Sequence, residues 1–233
     1  YSKERYDNNI SSGGDCVAKS YTEFVRELIA KEEIGKPIYT SEISGRVAEA
    51  YGIPLQKATG AVAVACKRIM DGKILPELRC YQKGIYYRTA LTPFGELGID
   101  REQLIEDKYL KNNNGYETGL IALHRIGLTT QMPNARGLAT NKAGDCARMD
   151  KKLGVVVRPP KVRITAGNKQ YLKILDVLEE LDNAPVDAEH PYQLISEYVN
   201  KLGLDYEKLL ALADNHYNRN TIIQLAHVAG GRL

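Results

Sequence analysis

Cysteine is scarce in this 233-residue sequence, and its spacing excludes two kinds of cysteine-based site. The four cysteines, Cys16, Cys66, Cys80 and Cys146, are far apart and include no Cys-x-x-Cys pair. Zinc sites and disulfide frameworks are recognised by closer, regular spacings of cysteine. We therefore expect reduced cysteines, no metal site, no cofactor and a cytoplasmic setting.

Long apolar runs and catalytic motifs are also missing. No run approaches the ~18 apolar residues of a transmembrane helix, and the polar start Tyr1–Asp15 has no signal-peptide pattern. The sequence has no P-loop, no Gly-x-Ser-x-Gly elbow and no Gly-Ser dipeptide of the kind that opens a nucleotidyltransferase site. The four histidines lack metal-ligand spacing. We expect no membrane partner and no catalytic residues; an enzyme that modifies nucleic acid stays an alternative.

Charge is distributed unevenly along the chain. Residues 1–90 carry 14 Lys and Arg against 11 Asp and Glu, residues 91–165 carry 12 against 8, and residues 166–233 carry 6 against 10. The basic part could face a polyanion while the acidic part faces a different partner. Random surface charge would give similar counts and is the competing interpretation.

The periodicity of the first ninety residues predicts three helices and a hairpin. Apolar stripes indicate helices over 21–32, 40–51 and 54–71, with Thr40 or Ser41 as a cap and Pro54 as a first helical residue. Extended segments are predicted over 37–39, 73–75, 78–82 and 85–89, with Lys83-Gly84 as a tight turn. This order predicts a winged helix-turn-helix over residues 20–92.

The rest of the chain predicts a mixed α+β part followed by helices. Helices are expected over 101–111, 116–126, 168–181, 191–202 and 206–229, the last broken near 215–220, and strands over 136–140 and 155–158. The Ser-, Gly- and Asn-rich residues 1–19 predict a flexible lead-in. The predicted fold class is α+β, with a mixed part over 93–165 and a helical part of the same domain over 166–233.

The third predicted helix has the features of a DNA recognition helix. A helix-turn-helix places the first residues of its second helix against base edges in the major groove. With Leu55, Ala58 and Val62 directed inward, the polar residues between them face outward. Helix N-termini and hairpin cations add phosphate contacts. We expect double-stranded DNA as the partner, contacted by Thr40, Ser41, Gln56, Lys57, Thr59, Lys67, Arg68, Arg79 and Lys83.

A second basic surface is predicted in the middle of the chain, where eight cationic residues lie within thirty positions. Strand alternation could gather several of them on one face, which would suit nucleic acid or an acidic face of another protein. A solvated surface is the alternative. The residues are Arg136, Lys142, Arg148, Lys151, Lys152, Arg158, Lys161 and Arg163.

Two segments carry a resemblance to a known family. Tyr39–Arg88 has a pattern generic for winged helices, and Gly115–Pro133 followed by Leu138–Asn141 resembles the segment after the winged helix in AbiEi-type antitoxins of abortive-infection toxin–antitoxin systems. The resemblance covers most of residues 20–165. It implies a repressor that binds inverted repeats in its own promoter and a second domain that counteracts a nucleotidyltransferase toxin, directly or indirectly.

Because of the polar lead-in and the long helical tail, a transcriptional regulator without a toxin partner stays an alternative. The main alternative is a winged-helix module that binds protein and not DNA.

Overall fold

The structure is a computed structural model that describes residues 19–230. Its fold is mixed α+β, with helices at the C-terminal end. The chain divides into two compact units, Tyr1–Asp100 and Arg101–Leu233. Apart from Lys19, the predicted lead-in lies outside the described residues, as does Cys16. None of the helices in the described part is long and apolar enough to cross a membrane.

Three helices pack around one apolar core in the first unit. These are α1 (Tyr21–Lys31), α2 (Thr40–Tyr51) and α3 (Leu55–Asp71), each within a residue of its predicted bounds. Ser20 caps α1, because its hydroxyl accepts the Glu23 N–H at 3.3 Å. The core side chains recur at helical spacing and include Val25, Ile29, Ile43, Val47, Ala58, Val62, Ala65 and Ile69.

A three-stranded antiparallel sheet completes this core. Its strands are β1 (Ile38–Tyr39), β2 (Leu78–Gln82) and β3 (Ile85–Arg88), in the spatial order β1-β3-β2. The predicted turn between β2 and β3 is present, and Gly84 adopts φ 85°, a conformation that favours glycine.

The strand predicted over 73–75 is wrong, and so is the predicted cap of α2. The N–H groups of Lys73 and Ile74 bond back to the last turn of α3, so they cannot join a ladder. At α2, Tyr39 precedes the helix and no side chain caps it. Ala50, near the end of α2, is exposed.

A short unpredicted hairpin extends the first unit beyond the predicted boundary at residue 92. Its strands are β4 (Leu91–Thr92) and β5 (Gly95–Glu96). The Leu97 N–H donates to the Ala90 carbonyl at 2.9 Å, and the Asp100 N–H donates to the Gly35 carbonyl at 2.8 Å. These bonds hold the chain against the first unit as far as Asp100.

A four-stranded sheet forms one layer of the second unit. Its strands β6 (Gly115–Thr118), β7 (Arg136–Thr140), β8 (Arg148–Asp150) and β9 (Val155–Arg158) lie in the order β6-β7-β9-β8. The β7–β9 pair is parallel and the other two pairs are antiparallel. The strands predicted over 136–140 and 155–158 are confirmed, whereas β8 was not predicted.

The helix predicted over 116–126 is half wrong. Residues 116–118 belong to β6, and only α5 (Leu120–Ile126) is helical. Gly119 has φ 70°, which separates the two elements. The chain enters the sheet through α4 (Arg101–Ile105), which continues as a π-helical turn over Glu106–Leu110 and a 3₁₀ turn over Lys111–Asn113.

Four helices close the second unit, close to their predicted bounds. They are α6 (Lys169–Glu180), α7 (Pro191–Lys201), α8 (Tyr206–His216) and α9 (Arg219–Gly230), so the predicted break near 215–220 is confirmed. Helix α6 is central because it contacts β6, α8 and α9. Its buried residues, among them Leu172, Leu175 and Leu178, join the core of the unit.

Candidate nucleic-acid interface

The outward face of α3 begins with polar side chains. Gln56, Lys57 and Thr59 are exposed, while Ala58 and Val62 are fully buried on the opposite face. The Thr59 hydroxyl donates to the Leu55 carbonyl at 2.9 Å, so it is directed back along its own helix. The side chains of Gln56 and Lys57 make no hydrogen bond or ion pair with any residue in 19–230. Their polar groups are therefore left to solvent or to a partner.

The middle of this face is small and apolar. Gly60 and Ala63 are exposed, and Val64 is 51% exposed. A Cβ placed on Gly60 would have no neighbour within 4 Å, so packing inside the described protein does not require glycine there. Glycine in a helix interior costs about 1 kcal/mol relative to alanine. Leu55 was predicted to point inward and is instead 58% exposed, because it lies in the first turn, beyond the edge of the core.

Cations follow in the second half of α3 and at the hairpin turn. Lys67, Arg68 and Lys83 are exposed and form no ion pair with any other described residue. The turn lies beside the start of α2, since the Thr40 N–H and hydroxyl both donate to the Gly84 carbonyl, at 3.0 and 3.3 Å. The Thr40 hydroxyl is thus engaged within the protein, whereas Ser41 next to it is exposed.

Arg79 departs from the predicted set. Its guanidinium donates to Glu96 at 2.6 Å and to the Pro76 carbonyl at 2.6 Å. The bond to Glu96 raises the pKa of Arg79 and lowers the pKa of Glu96. Arg79 therefore joins the β4–β5 hairpin to β2 and is not free to extend beside Lys83, as the prediction required.

The eight cations of the predicted second surface do not gather on one face. Three are paired with carboxylates: Arg136 with Glu102 and Glu117, Arg158 with Asp176, and Lys161 with Glu179. The others are separated by the sheet topology.

Lys142 and Arg163 follow the parallel strands β7 and β9 at one end of the sheet, and Arg148, opposite Val157, lies at that end too. Lys151 and Lys152 occupy the β8–β9 turn at the other end. The unpaired cations of the predicted surface are thus divided between the two ends of the sheet, because the chain reverses direction after β8.

A buried carboxylate in the second unit was missed by sequence reasoning. Asp176, on α6, is 1% exposed and accepts hydrogen bonds from the hydroxyls of Tyr116, Thr118 and Tyr217 at 2.8–2.9 Å. The Arg158 guanidinium donates to it at 2.6 Å.

Burial raises the pKa of Asp176, and the charge of Arg158 and the hydroxyl donors act against that rise. Burial likewise raises the pKa of Tyr116 and Tyr217, which keeps their hydroxyls protonated as donors. The only sequence signal was a charged residue on the inward stripe of a helix, four positions after Leu172.

Other chemistry has little support in the described residues. No group of three His, Cys, Asp or Glu within 19–230 could hold a metal ion. Cys66 is buried, and Cys80 and Cys146 are exposed; all three are free thiols. Burial raises the pKa of Cys66 to about 11. His124, on α5, is partly buried. The α3 face and the neighbouring turn are therefore the best-developed candidate site.

Comparison with known proteins adds no family: no protein-family model matches the chain, and no curated protein matches it.

Proposed function

We propose that residues 20–92 form a winged helix-turn-helix that binds double-stranded DNA, and that the chain is a sequence-specific transcriptional repressor. The order of α1, β1, α2, α3, β2 and β3, with the β1-β3-β2 sheet, supports this proposal. In such a domain α3 enters the major groove and the β2–β3 turn lies on the DNA backbone.

The observation that carries the proposal is the set of cations without a partner inside the described protein. Lys57, Lys67, Arg68 and Lys83 are exposed on α3 and the adjoining hairpin, whereas Arg79, Arg88 and the cations of the second unit's core pair with carboxylates. Cations that stay unpaired in the free protein can bind phosphate without first losing an internal ion pair.

Binding should be measured by fluorescence anisotropy on the DNA upstream of the chain's own gene. With about five phosphates neutralised, log K should fall with a slope of roughly −4 to −5 against log salt concentration. Flat salt dependence would refute the proposal.

Side-chain variants separate base contacts from phosphate contacts. Gln56→Ala and Lys57→Ala should reduce the preference for operator over unrelated DNA, by about 1–3 kcal/mol for a base contact. Lys83→Ala should weaken binding to all DNA sequences alike. Lys31→Ala is the matched control, because Lys31 is an exposed lysine at the end of α1, outside the proposed interface, and it should change neither quantity.

Glycine substitutions give a second, independent test of whether the outward face of α3 contacts DNA. Gly45 on α2 and Gly60 on α3 are both exposed, and neither has an atom within 4 Å of an added Cβ. Alanine at either position should stabilise the fold by up to about 1 kcal/mol. Only Gly60→Ala should also weaken DNA binding, because its methyl group would stand between the helix and the groove. Equal DNA affinity of Gly60→Ala and wild type would contradict a groove-facing α3.

For the whole chain we propose an antitoxin role, on the sequence resemblance of Gly115–Asn141. The toxin would be a nucleotidyltransferase encoded beside this gene, and it would be counteracted by the second unit. Co-expression tests this: the chain should restore growth to cells producing that toxin, and residues 101–233 should be required. If the chain repressed its own promoter but did not restore growth, the conclusion would be a transcriptional regulator without a toxin partner.

One observation favours a second candidate function, a docking module for protein. Gly60, Ala63 and Val64 are exposed next to one another on the outward face of α3, and Val64 is 51% exposed. Contiguous exposed apolar surface is a mark of protein contacts. Purification of a stoichiometric protein partner with no DNA retention, abolished by Val64→Asp, would establish this function in place of DNA binding.

A further inference from the structure

The β4–β5 hairpin presents the most exposed large apolar side chains of the described protein. Leu91 is 85% exposed and Phe94 is 100% exposed. The hairpin is ordered by its own hydrogen bonds: the Thr92 hydroxyl donates to the Gly95 carbonyl at 2.7 Å and accepts the Phe94 N–H at 3.3 Å. The backbone that carries Phe94 is therefore held in place, and exposed apolar side chains that lie near one another, as Leu91 and Phe94 do on this hairpin, mark contact sites.

An open groove of about 570 Å³ lies beside the base of this hairpin, where Leu97 directly follows β5. Its apolar lining is Ile34, Leu97 and Ile99, and Glu33, Lys36 and Asp100 border it. Ile34 and Leu97 are 46% and 43% exposed. Phe94 of the same chain does not fill the groove, since its ring is fully exposed. One surface thus carries both an aromatic protrusion and an apolar recess large enough for it.

We propose that a second copy of this chain covers this surface, with Phe94 of each copy seated in the groove of the other. A surface that carries both a protrusion and a matching recess can be self-complementary, and a two-fold axis then makes the contact twice and closes the assembly at a dimer. Aromatic residues in central pockets supply much of the energy of such interfaces.

The charges around the surface fit a second copy better than a nucleic acid. The rim residues Glu33 and Lys36 form an ion pair at 2.8 Å, and Glu96 pairs with Arg79. Each of these pairs is neutral, and Asp100 adds a carboxylate to the rim, so the surface carries no excess of cations. Exposed carboxylates at Glu33 and Glu96 would repel a phosphate backbone.

The surface also lies away from the proposed DNA contacts. The Gly35 N–H donates to the Arg88 carbonyl at one end of β3, while the Thr40 N–H donates to the Gly84 carbonyl beyond the other end. The length of β3 separates them by on the order of 10 Å. A dimer formed here would leave both α3 faces open, and its formation does not depend on DNA binding.

The test is the mass of the full chain without DNA, measured by sedimentation over a range of protein concentrations. The expected species is a dimer of twice the 25.9 kDa chain mass. Phe94→Asp should raise the dissociation constant at least about thirtyfold. Leu210→Asp is the matched control, since Leu210 is 50% exposed on α8, and it should leave the dimer intact. Circular dichroism should show both variants folded.

Mixing variants tests the protrusion and the groove directly. Ile34→Asp should also give monomers, because it places a carboxylate in the recess. An equimolar mixture of Phe94→Asp and Ile34→Asp chains should partly restore dimers, since one intact contact remains between unlike chains.

A wild-type monomer at every concentration, a dimer that survives Phe94→Asp, or a dimer that forms only on DNA would overturn the proposal. Oligomers larger than a dimer whose size increases with protein concentration would also overturn it, because they indicate a contact that a two-fold axis does not close.

Discussion

Removing the buried carboxylate of Asp176 should destabilise the second unit strongly. Asp176→Ala leaves the half-buried Arg158 charge without its counter-ion, which costs about 3–5 kcal/mol for a buried pair. It also leaves the hydroxyls of Tyr116 and Tyr217 in the core without an acceptor, at about 1–3 kcal/mol each. Because the Arg158 side chain is 25% exposed and can turn to solvent, we expect a total near the lower end, about 5 kcal/mol.

Urea unfolding followed by circular dichroism gives the change, and hydrogen exchange read by mass spectrometry assigns it to residues 101–233. Asp214→Ala removes an exposed carboxylate from α8 and should change the stability by less than about 0.5 kcal/mol. Replacing the pair together, by Asp176→Leu with Arg158→Met, should recover part of the loss. If Asp176→Ala cost no more than Asp214→Ala, the hydrogen-bond network described here would not hold this unit together.

Three further outcomes are expected. Burial acts to raise the pKa of Asp150, but hydrogen bonds from Lys108, Tyr109 and the Leu153 N–H, with the charge of Lys108, together lower it to about 2. Its contribution to stability, about 2 kcal/mol at most, is present above pH 4 and lost as the pH falls towards 2, so the stability difference between wild type and Asp150→Asn should shrink over that range. Gly115→Ala should cost about 3 kcal/mol in urea unfolding, because its Cβ would lie 2.5 Å from the Tyr109 carbonyl oxygen and 2.9 Å from the Ala139 carbonyl oxygen; a loss below 1 kcal/mol would contradict this close approach of the backbone. Peptide mapping after alkylation at neutral pH should find Cys80 modified and Cys66 protected until the chain unfolds, and equal labelling of both would argue against the packing of α3.

Local sequence patterns were sufficient to predict most helices and the central strands. Ala58, Val62 and Ile69 recur at helical spacing and are buried as the periodicity predicts. The predicted helix over 116–126 failed because an apolar–polar alternation of only three residues, 116–118, is too short to distinguish from a helical turn. Its pairing with β7 is a tertiary contact, which a local pattern does not contain.

The candidate site was predicted less completely than the fold. Exposure of Gln56, Lys57 and Lys83 followed from helix periodicity and turn chemistry. The ion pair of Arg79 did not, because Glu96 lies on a hairpin that the sequence did not indicate. Asp176 was missed for a similar reason, since its donors are distant along the chain and a lone acidic residue in an amphipathic helix is normally solvated.

The hydrogen-bond donors to the Asp176 carboxylate lie as far apart as positions 116 and 217, and this separation along the chain affects folding during synthesis on the ribosome. The first unit can fold while the remainder is still being translated, because its contacts lie within the first hundred residues. The second unit must wait for Tyr217 and for its α9 core residues Leu225 and Val228 to emerge, so a stalled or truncated nascent chain would expose an incomplete core with a buried charge to proteases and chaperones.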